Sequence, residues 1–178
     1  SDNNTKDVLS IGVIQFTSHS ALDATYEGFL AELNNLGLTE GDDYVIDYNN
    51  AQGDTATAET IAATLVNADH DLIYAIATPA AQAVANKTSD IPIIVNAVTD
   101  PQSAGLVDTN EIPNTNVSGV SDLTPVKRQI ELLHEVAPDV KTVAIVYANS
   151  EDNSRYQADI AKTEIEALNM EWHDASVS

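Results

Sequence analysis

A group of residues that could bind an anion stands directly after a short apolar run near the middle of the chain. The run Leu72–Ile76 has the length of a strand, and Thr78 and Pro79 open an Ala- and Gln-rich stretch with helical preference. We predict Thr78 as the N-cap of that helix and Pro79 as its first residue, because a proline lacks the N–H that would have no partner there. Ala80 and Ala81 then offer backbone N–H groups at the positive end of a helix dipole. The turn predicts a site for a carboxylate or phosphate, although an ordinary strand-to-helix turn without a ligand has the same pattern.

Two further polar groups follow other apolar runs. Thr17, Ser18 and His19 come after the first run and precede a predicted helix. They lack a Gly-x-Ser-x-Gly elbow and an evident acid partner, so the pattern favours a capping and hydrogen-bonding loop over a catalytic nucleophile. Asp100 follows the fourth run, where it could hold an ammonium or hydroxyl group or start a turn.

A fourth polar group occurs late in the chain. Glu151, Asn153 and Ser154 follow Tyr147, and they offer acceptors and a donor beside an aromatic ring. A plain helix N-terminus with Asn153 or Ser154 as its N-cap explains the same residues, and both interpretations can hold together. Set across a cleft from Thr78, this loop would supply the complementary polar groups for a small zwitterion.

Several classes of site and partner are disfavoured by composition. The chain has no cysteine, and its four histidines lack HExxH or another zinc spacing, so we predict neither a metal site nor a disulfide and regard each histidine as a surface or capping residue. Neither GxGxxG nor GxxxxGK[ST] occurs at the first strand–helix turn, so we predict no dinucleotide cofactor. The net charge of −21 disfavours nucleic acid and anionic membrane surfaces as partners.

The start of the chain and its apolar runs bear on location. The sequence SDNNTKD is neither a signal peptide nor a transit peptide. No apolar run approaches the roughly 20 residues that cross a bilayer. We therefore expect a soluble chain, either never exported or already trimmed.

Alternating strand and helix patterns must position the polar groups. The order is β-α-β-α-β-α-β over the first hundred residues, which predicts a Rossmann-like, doubly wound parallel sheet with right-handed crossovers. Ligands of such sheets lie beyond the carboxyl ends of the strands. Four loops are therefore predicted to converge on one crevice, namely residues 15–20, 50–54, 77–81 and 97–106.

A second α/β unit is predicted after the first. Its pattern contains a helix that is capped at Thr124 and Pro125, a strand, another helix and the start of one more strand. Two strands and two helices cannot cover both faces of a sheet, so we expect this unit to be truncated at Ser178. The predicted domains are an N-terminal ligand-binding lobe, residues 1–120, and a hinge crossing with the first part of a second lobe, residues 121–178.

Linked motifs along nearly the whole chain resemble one family. The motifs, in order, are IGVIQFTSHSALDATYEGFLAELNNLG, DYNNAQGD, DLIYAIATPAAQAVANKTSDIPI, AVTDPQSAGLV, NVSGVSDLTPVKRQIELL and YANSEDNS. The sequence resembles the ABC-transporter substrate-binding proteins of the TrpX-like family. This resemblance implies a periplasmic-binding-protein architecture of type I, with two lobes that close over a small solute, often an aromatic amino acid, and with no enzymatic activity.

The resemblance also implies which residues contact the ligand. The first-lobe surface would consist of Phe16, Thr17, Ser18, His19, Thr78, Pro79, Ala80 and Asp100. The second-lobe surface would consist of Glu151, Asn153 and Ser154, and the hinge would lie at residues 117–122. The ligand carboxylate would bind the amides after Thr78, its ammonium would meet Asp100 or Glu151, and its ring would stack on Phe16 or Tyr147.

Location and partners follow from the same resemblance. It implies a periplasmic or extracytoplasmic protein, with membrane anchoring as a lipoprotein as one option, an ABC permease as partner, and no cofactor. The residues themselves leave two other classes of function open. One is a ligand-sensing domain of a regulatory or signalling protein, since folds of this kind serve several functions. The other is an α/β enzyme that uses Ser18 or His19.

Overall fold

The computed structural model describes residues 8–177, which divide into two compact units with their boundary between Asp122 and Leu123. We call the part before this boundary unit 1 and the part after it unit 2. The polar start, for which we predict neither a signal nor a transit peptide, and the predicted truncation point at Ser178 both lie outside the described residues.

Unit 1 is built on a parallel sheet. Its elements are β1 (Leu9–Gln15), α1 (Ser20–Asn35), β2 (Tyr44–Asn50), α2 (Thr55–Asn67), β3 (Leu72–Ile76), α3 (Thr78–Ala85), β4 (Ile93–Val98) and β5 (Val117–Ser121). The five strands lie in the order β2-β1-β3-β4-β5, and every neighbouring pair is parallel. The chain winds to one side of β1 to form β2 and to the other side to form β3. The predicted α/β class and doubly wound sheet are confirmed.

The helices of unit 1 cover the two faces of the sheet with different side chains. Helix α1 packs on one face through the apolar positions of its periodic pattern, Leu22, Tyr26, Phe29 and Leu33. The other face holds the larger core, where α2 and α3 present mainly small residues such as Ala58, Ala62, Ala80, Ala81 and Ala83. Small side chains let these helices lie close to the Ile and Val residues of β3 and β4. The sheet is thereby enclosed on both faces over its central strands.

Unit 2 contains two helices and two strands in its described part. They are α4 (Val126–Val136), β6 (Thr142–Ala148), α5 (Asp152–Ala167) and β7 (Glu171–Val177), and β6 and β7 pair in parallel. Its core is small and includes Val126, Ile130, Val143, Ile165 and Met170. The order of elements agrees with the pattern in the sequence.

The start of α4 differs from the prediction. Pro125 occupies the N-cap position and makes no side-chain capping bond. The Thr124 hydroxyl, which we expected to cap the helix, instead donates to Gln157 Oε1 at 3.2 Å. The Thr124 hydroxyl therefore bonds to α5 and does not cap α4.

In the range 8–177, no helix combines the length and the apolar character that a membrane span requires.

Candidate functional site

The carboxyl ends of β1 and β3 mark the point at which the order of the sheet reverses. In doubly wound sheets, the loops after two such strands leave toward opposite faces and open a crevice that binds ligands. The Phe16 amide donates to the Ile76 carbonyl at 3.2 Å, so the two loops start in direct contact. The Ala77 amide donates to the Asn96 carbonyl at 3.0 Å and extends this edge to β4. The loops predicted to converge therefore begin at one edge of the sheet.

Helix α3 starts from an unusual backbone conformation. Its N-cap is Ala77, with φ 83° and ψ 152°, a region that residues with a side chain rarely adopt. The prediction of Thr78 as N-cap is wrong by one residue, because the Ala77 carbonyl already accepts the first helical bond, from the Ala81 amide at 3.0 Å. Thr78 is thus the first helical residue and Pro79 the second. Strain of this kind is held in place by surrounding structure and is concentrated at functional sites.

The Thr78 side chain is the most informative group at this edge. It is 2% exposed, and its Oγ1 is buried without a hydrogen-bond partner in the part of the chain that the structure describes. A buried hydroxyl left unpaired costs about 1–3 kcal/mol. Ala80 is fully buried and Pro79 partly exposed, so the first turn of α3 presents backbone rather than bulky side chains. A carboxylate bound at this turn could accept from the hydroxyl and from a free amide together.

The loop between β1 and α1 is a capping loop, as predicted. His19 is the N-cap of α1, and its Nδ1 accepts from the Ala21 amide at 3.2 Å. Ser18 is exposed, and its Oγ accepts from Asn50 Nδ2 at 3.2 Å. The Phe16 ring is half-buried against the larger core, and Thr17 is partly exposed. The four residues predicted here as ligand contacts therefore surround the start of one helix.

Gln15 is a buried polar residue that the sequence analysis did not single out. It is fully buried at the end of β1. Its Nε2 donates to the Thr17 carbonyl at 2.9 Å and to Asp23 Oδ1 at 2.7 Å, and its Oε1 accepts from the Tyr48 hydroxyl at 3.2 Å. The available signal was an amide at the end of a largely apolar strand, LSIGVIQ. A polar side chain in that position needs buried partners.

Asp100 organises its own loop. Its Oδ1 accepts from the Ser103 amide at 2.6 Å, and its Oδ2 accepts from Asn110 Nδ2 at 2.8 Å. Of the two alternatives that the sequence left open, this arrangement favours the turn.

In unit 2 the predicted N-cap of α5 is wrong. The N-cap is Glu151, without a side-chain capping bond, and Asn153 and Ser154 lie inside the first turn. Helical bonding begins earlier than predicted because the Arg155 amide donates to the Glu151 carbonyl at 3.1 Å. Asn153 Oδ1 is buried and unpartnered among residues 8–177. Ser154 lines a cavity of about 300 Å³ together with Tyr147.

One histidine contradicts the expected surface or capping role. His70 is 8% exposed, its Nδ1 lies 2.7 Å from Ser10 Oγ, and its Nε2 lies 3.5 Å from Asp47 Oδ2. Gly12 leaves the room that the ring fills, since a Cβ there would approach His70 Cδ2 to 2.8 Å. Over the described residues, no three His, Asp or Glu side chains come close enough to hold a metal ion.

Comparisons with known proteins agree with the fold and with the resemblance in the sequence. A family model described as "ABC transporter substrate binding protein" matches residues 10–178. The chain is 45% identical over 150 residues to a tyrosine-binding protein of Clostridioides difficile (strain R20291), a match that covers 84% of this chain and 44% of that protein.

Solved structures give the same result. One is a domain in complex with L-Trp from Streptococcus pneumonia, with 40% identity, a TM-score of 0.91, and coverage of 96% of this chain and 58% of that one. A conserved domain protein from Vibrio cholerae has 38% identity, a TM-score of 0.92 and the same coverage. The chain thus spans about half the length of the relatives it matches.

Proposed function

Because the chain belongs to the family of ABC transporter substrate-binding proteins, we propose that it is part of a protein that holds an aromatic amino acid for an ABC importer. The members of this family bind solutes and are not enzymes, so the α/β enzyme considered from Ser18 and His19 is set aside. Tyrosine and tryptophan are the leading candidates, since a relative at 45% identity is a tyrosine-binding protein and one at 40% was solved with L-Trp.

One observation carries the ligand assignment, namely the buried and unpaired hydroxyl of Thr78 at the start of α3. In our proposal the ligand carboxylate accepts from Thr78 Oγ1 and from the Ala80 amide. Pro79 has no N–H, and the Ala81 amide, which we expected to be available, already donates to the Ala77 carbonyl. Hydrogen bonds to a charged group are stronger than those between neutral groups. These contacts select ligands that have a carboxylate, and they do not depend on the ligand side chain.

The remaining contacts are assigned by the chemistry of the neighbouring groups. In the proposal, Phe16 offers a ring for stacking against the ligand side chain, and Thr17, Ser18 and His19 line the same loop. Asp100 offers a carboxylate to the ligand ammonium, although both of its oxygens already accept hydrogen bonds within unit 1. In unit 2, we propose that Glu151, Asn153 and Ser154 form the ligand-binding surface, supported by the unpaired Oδ1 of Asn153.

The location and the partner belong to the same proposal. Binding proteins of ABC importers work outside the cytoplasm, so we propose an extracytoplasmic protein that meets a membrane permease. Anchoring as a lipoprotein is compatible with this role. The net charge of −21 on this chain would repel the anionic lipid headgroups of a nearby membrane.

Isothermal titration calorimetry of the full-length protein against the twenty amino acids tests the proposal. We expect L-tyrosine or L-tryptophan to bind and the non-aromatic amino acids to bind more weakly. Tyramine and tryptamine serve as matched controls, because they keep the ring and the ammonium but lack the carboxylate. Equal binding of an amino acid and its amine would exclude the carboxylate site, and absence of binding by every amino acid would refute the proposed function.

A further inference from the structure

We propose that Gln15 is a positioning residue that holds the loop between β1 and α1 in its ligand-binding conformation, an inference that rests on the proposed function. Four of the predicted ligand contacts lie on this loop, Phe16 through His19. Gln15 itself is fully buried, so it acts on the ligand through the residues it holds.

The hydrogen bonds of the Gln15 amide join three parts of unit 1. Its Nε2 binds the loop at the Thr17 carbonyl and binds α1 at the Asp23 carboxylate, at 2.9 and 2.7 Å. Its Oε1 binds the edge strand β2 through the Tyr48 hydroxyl at 3.2 Å. The Tyr48 ring is itself packed on Tyr26 of α1, with the ring centroids 4.6 Å apart. One side chain therefore fixes where the loop leaves the strand and where the helix begins.

The loop after β2, residues 50–54, is hydrogen-bonded to the end of β1 and the start of the loop that follows it. The Ala51 amide donates to the Gln15 carbonyl at 2.9 Å, and the Gly53 amide donates to the Phe16 carbonyl at 2.8 Å. Asn50 Nδ2 completes the link, since it reaches both Ser18 Oγ and the Tyr48 hydroxyl, at 3.2 and 3.3 Å. A displacement of the Gln15 side chain would release the two loops together.

Only an amide matches this set of partners. The Thr17 carbonyl and Asp23 Oδ1 accept hydrogen bonds, whereas the Tyr48 hydroxyl donates one. A glutamine side chain supplies two donors and an acceptor in one group, a carboxylate supplies acceptors only, and an aliphatic chain supplies neither. Gln15→Glu would keep the shape and bring two carboxylates together, and Gln15→Leu would remove all three hydrogen bonds of the side chain.

Hydrogen–deuterium exchange and calorimetry on the full-length protein test the inference. We expect both variants to speed exchange at the Ala21, Asp23 and Gly53 amides about tenfold, the effect of losing about one net hydrogen bond. Affinity for L-tyrosine or L-tryptophan should fall about ten- to a hundredfold, the loss seen when residues that support the ligands of metal sites are replaced. Asn35→Leu replaces an exposed amide at the last residue of α1, so it is the matched control and should change neither quantity.

A rescue separates positioning from a general loss of stability. Asp23→Asn on the Gln15→Glu background restores a donor opposite the new carboxylate, and we expect it to recover slow exchange and most of the affinity. Tyr48→Phe removes the hydroxyl that donates to Gln15 and accepts from Asn50, at a half-exposed residue, so it provides a variant that folds even if the others do not. We expect its affinity for the ligand to fall only about threefold, since neutral hydrogen bonds of an exposed group contribute little.

The outcomes decide the two proposals separately. Unchanged exchange and affinity in the variants would overturn the role of Gln15 even if the wild type binds its ligand. A wild type that binds no aromatic amino acid would refute the proposed function, and the exchange rates would still decide whether Gln15 holds the loop.

Discussion

Replacing Thr78 by valine is expected to stabilise the ligand-free protein while it weakens ligand binding. Valine matches threonine in shape, so packing around a residue that is 2% exposed is kept. The substitution removes a buried, unpaired hydroxyl, whose burial costs about 1–3 kcal/mol. We therefore expect the free energy of unfolding of unit 1 to rise by about 1 kcal/mol or more, and its melting temperature to rise by roughly 3–6 °C.

The same change acts in the opposite direction on the complex. In the proposed complex, Thr78→Val removes the hydrogen bond from the Thr78 hydroxyl to the ligand carboxylate, and a hydrogen bond to a charged group contributes about 1.5–3 kcal/mol. Each 1.4 kcal/mol corresponds to about a tenfold change in affinity. We expect the dissociation constant for L-tyrosine or L-tryptophan to increase by a factor of about 10 to 100. The order of stabilities of wild type and variant should thus reverse between ligand-free and ligand-saturated samples.

Thermal unfolding followed by circular dichroism, with and without ligand, measures both effects. Thr25→Val is the matched control, because the Thr25 hydroxyl is exposed and already donates to the Ala21 carbonyl at 2.9 Å. That control should stay within about 0.5 kcal/mol of the wild type. A ligand-free Thr78→Val protein that is less stable than the wild type by about 1 kcal/mol would mean that the hydroxyl is paired, and would refute the reasoning.

Three further predictions concern stability. Gly12→Ala should lower the free energy of unfolding by about 1–3 kcal/mol, because the added Cβ meets His70 Cδ2 at 2.8 Å. Gly28→Ala, in open space on α1, should raise the free energy of unfolding by up to about 1 kcal/mol. Equal denaturant midpoints for the two variants would contradict this prediction. Burial raises the pKa of the Tyr74 hydroxyl, against a smaller opposing effect of the Asn96 amide. The contribution of the neutral Tyr74 to stability is therefore complete below the unfolded pKa of about 10 and is lost as the pH rises further. Tyr74→Phe should reduce the decline of the melting temperature at alkaline pH, measured in a series of thermal melts. An unchanged slope of melting temperature against pH would contradict this prediction. With 28 acidic against 7 basic residues, the melting temperature should increase between about 0.05 and about 0.5 M NaCl, and a flat response would argue against repulsion between surface charges.

The order and type of the elements could be predicted because they depend on local patterns. Apolar runs of strand length and three- and four-residue periodicity are properties of neighbouring residues. The bounds predicted for β3, Leu72–Ile76, coincide with those in the structure. Leu36 continues the apolar spacing of α1 but is 66% exposed, since it follows the last helical residue as the C-cap. Ends of elements depend on a few terminal hydrogen bonds, so periodicity locates them less well.

The chain's sequence by itself determined the doubly wound class, the loops at the carboxyl ends of the strands and the resemblance to the binding-protein family. Only the tertiary structure decided that the Thr78 hydroxyl is unpaired, that His70 is buried and that Gln15 joins two loops. The physical reason is distance along the chain, because the partner of Gln15 on β2 is 33 residues away and that of His70 on β1 is 60 residues away. Strand register brings such groups together, and no local pattern of hydrophobicity encodes it.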